Sequence, residues 1–72
     1  MKANRKKLEY AMARACMTPD QVAKAAEMPR PTLNNVIVGK SVMPATLGRV
    51  ARALGVEVEA IMEGGLTDDY HN

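Results

Sequence analysis

The placement of proline and glycine decides what this chain can fold into. Pro19, Pro29, Pro31 and Pro44 fall where helices must stop or start, and Gly39, Gly55 and the Gly64-Gly65 pair fall where they must end. Proline lacks the N–H that a helix interior requires, and glycine suits the left-handed residue that commonly closes a helix. Between these marks the apolar residues recur at helical spacing. Leu8, Ala11, Met12, Ala15 and Cys16 share one face of an amphipathic helix over roughly residues 3–15, with Arg5, Lys6, Glu9 and Arg14 on the other. Thr18-Pro19-Asp20-Gln21 reads as a capping box, with Thr18 as N-cap, Pro19 at the first helical position and Gln21 reaching back. It opens a short helix with Val22, Ala23 and Ala26 inward. Met28-Pro29-Arg30-Pro31 is a turn, and Pro31 is tolerated in the first turn of a third helix that runs to about Val38 with Leu33, Val36 and Ile37 inward. Pro44 opens a fourth helix carrying the stripe Leu47, Val50, Ala51 and Leu54, and Gly48 in its middle predicts close approach of a neighbour. A last short helix is expected over about residues 57–62, with Val58, Ile61 and Met62 inward. No useful run alternates with period two. The expected fold is all-α, a compact five-helix bundle over residues 1–63, with a short, acidic, disordered tail over residues 64–72.

Composition narrows the function classes. At 72 residues there is room for one small domain, and 47% hydrophobic residues can supply a core. No apolar run approaches the roughly 18 residues of a membrane span, and the first residues lack an apolar signal core, so no membrane partner and a cytoplasmic location are expected. The single Cys16 offers neither an internal disulfide nor a zinc cluster and is expected as a small core residue; His71 has no second metal ligand at helical spacing. No metal, cofactor, catalytic set or small-molecule substrate is implied. With no Trp or Phe and two Tyr, a base-stacking platform for single strands is excluded. The net charge of +2 conceals a division. Residues 1–52 hold all ten basic residues and three acids, a formal +7, whereas residues 53–72 hold five acids and no base, −5. A division of this kind points to an anionic partner for the basic part.

Residues 18–38 concentrate the functional signal. A capped helix, a tight turn and a second short helix form a helix-turn-helix unit. Ala23 and Ala26 let the two helices approach, and Leu33, Val36 and Ile37 anchor the second. Its opposite face presents Arg30, Thr32, Asn34 and Asn35. Arginine pairs with guanine O6 and N7, asparagine pairs bidentately with adenine, and threonine bonds a phosphate or touches a thymine methyl. Lys40 follows closely as a phosphate partner. The plain alternative is a solvated helix surface, but this face is polar rather than charged, which favours groove contact.

The run Thr18-Pro19-Asp20-Gln21-Val22-Ala23-Lys24-Ala25-Ala26, then Thr32-Leu33-Asn34-Asn35-Val36-Ile37-Val38-Gly39-Lys40, then Thr46 through Val56, resembles the Cro and phage-repressor type of helix-turn-helix proteins. The resemblance covers about residues 4–62. It implies a lambda-repressor-like domain whose third helix enters the major groove of double-stranded DNA, usually as a homodimer on a palindromic operator. By position it implies base-reading places at Arg30, Pro31, Thr32 and Asn35, joined by Asn34 from the exposed face, and phosphate places at Thr18, Pro19, Gly39 and Lys40. Some positions depart from the family pattern. Pro19 stands where the family often has a phosphate-holding glutamine, and Glu27 stands where it has a turn glycine. There a positive φ would cost on the order of 1 kcal/mol unless the turn differs. Met12 and Ile37 replace an arginine–glutamate pair.

The expected function is thus a sequence-specific DNA-binding transcriptional regulator, more readily a repressor, since no effector domain is visible. The alternative is an antitoxin-like or other protein-interaction module with secondary DNA binding. Candidate dimer surfaces are Val58, Ile61 and Met62, or the loop around Val42 and Met43.

Overall fold

The computed structural model describes residues 1–64. Most of the acidic tail expected over 64–72, including Asp68, Asp69 and His71, lies outside these residues. Four α-helices follow in order, α1 Arg5–Ala15, α2 Pro19–Ala25, α3 Arg30–Ile37 and α4 Pro44–Leu54, and a single 3₁₀ turn covers Val58–Ala60. The architecture is all-α, with no strand among the described residues. Among the described residues no helix is long and apolar enough to cross a membrane.

Local chemistry sets each helix start. Asn4 caps α1 by accepting from Lys7 N–H at 3.0 Å. The Thr18 box closes as the sequence predicts: Gln21 N–H donates to Thr18 Oγ1 at 3.2 Å, and Thr18 N–H donates to Gln21 Oε1 at 2.8 Å. Pro31 and Pro44 sit in the first turns of α3 and α4, where a missing N–H leaves no bond broken.

All four helices end in one motif. The N–H of the left-handed residue donates to the carbonyl three residues back, and the next N–H donates to the carbonyl five residues back. The left-handed residues are Cys16 (φ 56°), Glu27 (φ 56°), Gly39 (φ 87°) and Gly55 (φ 72°). Their eight closing bonds are 3.0–3.1 Å long. Glu27 therefore keeps the left-handed turn that the family normally gives to glycine. Cys16 is not a core residue: leaving the helix through this conformation swings its side chain off the α1 stripe into solvent.

The core joins Leu8, Ala11 and Met12 of α1, Val22 and Ala23 of α2, Leu33 and Val36 of α3, and Leu47, Val50, Ala51 and Leu54 of α4, with Ala3, Ile61 and Met62. No described polar side chain is buried. Met12 and Ile37, the apolar replacements for the family's charged pair, both pack on this core. Gly48 has no close neighbour: a Cβ built there would meet nothing within 4 Å.

The fifth helix of the sequence reading shrinks to the 3₁₀ turn. Beyond it the backbone turns back to the chain's beginning. Asn4 N–H donates to Ile61 O at 2.7 Å and Glu63 N–H donates to Lys2 O at 2.8 Å, forming an isolated antiparallel bridge between Ala3 and Met62. These bonds draw on groups that a continuing helix would have used. Ile61 and Met62 are consequently buried and are not a free dimer surface. The bridge also sets Lys2 and Lys7 beside Met62 and Glu63.

Candidate nucleic-acid interface

The interface is assembled on α2, α3 and the turn between them. Val22, Ala23 and Ala26 seat α2, and Leu33 and Val36, both fully buried, seat α3. A helix anchored at 33 and 36 turns its 31, 34 and 35 positions to the other side, and Arg30 reaches solvent from the first position of α3. Arg30, Pro31, Asn34 and Asn35 are exposed, and Thr32 is half-buried beside them. The structure thus brings the five sequence-predicted α3 residues to one outward surface.

The phosphate candidates flank this surface in the chain. Thr18 is exposed at the start of α2. Its oxygen accepts inside the capping box, which leaves the hydroxyl proton free to donate. Pro19, at the first helical position, supplies no donor. Gly39 closes α3, and Lys40 follows with an exposed side chain. Lys40 N–H donates to Asn35 O at 3.0 Å, so the lysine leaves α3 in a fixed direction. Gly39 is required for its backbone rather than for space, since a Cβ there would lie at an ordinary 3.8 Å from Ala3 O.

One contact was not foreseen. Arg30 Nη1 donates to a carboxylate oxygen of Asp20 on α2, and Arg30 Nε donates to Asn34 Oδ1 at 3.1 Å. The pair links the first turns of the two helices, ten residues apart. Opposite charges in those two turns were the available signal, but sequence alone does not say how the helices are juxtaposed. A second ion pair among the described residues, Arg5 with Glu9 at 3.4 Å, is solvent-exposed and spans one turn of α1.

An open depression lies behind the turn, lined by Ala25, Ala26, Glu27, Arg49, Arg52 and Ala53. Both arginines are exposed on the outer face of α4. Exposed apolar residues are Tyr10 on α1, Val38 at the end of α3, and Met43 before α4. Among the described residues, no three His, Cys, Asp or Glu side chains gather into a metal site.

A helix-turn-helix family model matches residues 3–61. Two solved structures are similar over 89% of the chain: PhpD with cadmium complexed with hydroethylphosphonate, and native PhpD with cadmium atoms. Each is 26% identical with a TM-score of 0.74. The chain spans only 14% of the length of either. No curated protein matches it.

Proposed function

Because the chain belongs to the Cro and phage-repressor type of helix-turn-helix family, a family of DNA-binding regulators, we propose that it is a sequence-specific repressor whose α3 enters the major groove of double-stranded DNA. The supporting observation is the division of α3 into a fully buried side, Leu33 and Val36, and an exposed side of Arg30, Asn34 and Asn35. In this reading Arg30 pairs with guanine, Asn34 and Asn35 read neighbouring base edges, and Thr32 contacts a thymine methyl or the backbone, with Pro31 shaping the approach. Thr18, Gly39 and Lys40 hold phosphates on either side. Residues 1–63 form the DNA-binding unit. Two copies place their α3 helices about 34–36 Å apart, one turn of duplex, and repress by occupying the site. The exposed Val38 and Met43 are available to a second copy.

Selection of bound sites from a random duplex library tests this. The expected result is a palindrome with fixed half-site spacing; absence of any enriched sequence overturns it.

The second reading is an antitoxin-like or other protein-interaction module, for which the exposed Val38 and Met43 offer apolar contact. A monomer that ignores duplex DNA at low salt would favour it.

A further inference from the structure

We infer that Asp20 sets the base preference of α3 by positioning Arg30, an inference that rests on the DNA-binding reading above. Arg30 is held from two directions: its Nε–H by Asn34 Oδ1, one turn along α3, and one Nη1–H by the Asp20 carboxylate on α2. A guanidinium carries five N–H donors. Two are engaged, which leaves both hydrogens of Nη2 and one of Nη1. These three remain as the fork for guanine O6 and N7.

Asp20 does two things to that fork. It fixes the plane of a side chain that would otherwise sample many rotamers and reach a phosphate as readily as a base. It also offsets the positive charge. A neutralised guanidinium gains less from a phosphate, whereas the uncharged edge of a base is not repelled by the carboxylate beside it. The pair has little else to contribute. The two side chains are 43% and 81% exposed, and ion pairs so open to water add little to folding. Asp20 also puts a negative charge in the first turn of α2, next to Thr18, where general affinity for DNA would favour a positive or neutral residue. Its effect is therefore to lower affinity for any duplex and to raise discrimination among duplexes.

The test compares the wild-type protein, Asp20→Asn, Arg30→Ala and the double variant by fluorescence anisotropy. Three kinds of duplex serve: the tightest one from the library selection, the same duplex with each half-site guanine changed to adenine in turn, and a random-sequence duplex. Wild type should prefer guanine at one position by about tenfold. Asp20→Asn should erase most of that preference, by about fivefold, while binding the random duplex at least as tightly as wild type. In the Arg30→Ala background, Asp20→Asn should leave the ratio unchanged. Circular dichroism melting establishes that each variant is folded, and Asp20→Ser, another residue favoured in a first helical turn, repeats the comparison if the asparagine variant is not. An unchanged guanine preference in folded Asp20→Asn or Asp20→Ser overturns this inference alone. So does a parallel loss on all duplexes, the mark of a merely structural role. A wild type that binds all the duplexes equally overturns the DNA-reading proposal and this inference with it.

Discussion

The two halves of this bundle meet the same backbone demand with opposite chemistry. α3 and α4 close on Gly39 and Gly55, whereas α1 and α2 close on Cys16 and Glu27. The hydrogen bonds are the same in all four places, and their lengths agree within 0.1 Å. Residue type therefore does not decide whether the left-handed cap forms. In the second half the residue favours the turn. In the first half, packing of Leu8, Met12, Val22 and Ala23 imposes it on side chains that disfavour it. The strained cap at Glu27 lies inside the helix-turn-helix, where the angle between α2 and α3 is set, and strain of this sort collects at sites where geometry matters more than stability.

Substitutions at the caps can break that comparison. The largest effect is expected for Gly55→Val. A β-branched residue at φ 72°, with open space around its Cβ, suffers from the backbone alone, so denaturant unfolding should show a loss of about 2–3 kcal/mol. A value near zero would mean that glycine is dispensable there too, and the two halves would not differ. The reverse change, Glu27→Gly, should stabilise by about 1 kcal/mol and raise Tm by roughly 4–8 °C in a domain of this size. A lower Tm would show that the glutamate side chain makes a contribution larger than its backbone strain. The smallest effect is expected for Gly48→Ala, a control on a glycine with no left-handed duty. It lies within α4 with nothing within 4 Å of an added Cβ, so alanine should gain about 0.5–1 kcal/mol of unfolding free energy in the same titration. Destabilisation would restore the close neighbour that the sequence reading expected.

What was legible in the sequence was what is local. The Thr18–Gln21 box, the proline starts and the Leu47/Val50/Ala51/Leu54 stripe each follow from residues within two turns of one another. The outward set on α3 follows from Leu33 and Val36 for the same reason. Three things depended on distant partners and were not legible. Gly48 looked like a contact site because a glycine in mid-helix usually has a reason, and the absence of any neighbour can be seen only with the helices in place. The last helix had apolar residues at helical spacing, but residues 61–63 give their backbone groups to residues 2–4 across nearly the whole chain. Asp20 and Arg30 meet only because of the angle at which α2 and α3 cross. Cys16 lies between these classes: its spacing continued the apolar stripe, and one left-handed residue ended it.

The bridge between Ala3 and Met62 also has a mechanical meaning. Its two hydrogen bonds lie one behind the other along a line that starts where the chain enters and leaves. Tension applied between Lys2 and Glu63 loads the Glu63–Lys2 bond first and the Asn4–Ile61 bond only after it has parted. Bonds loaded in series open like a zip, at low force, where bonds loaded together in shear would resist. A pull between Lys2 and Glu63 would therefore part this clasp one bond at a time before it loaded the packing of Ile61 and Met62 against the core.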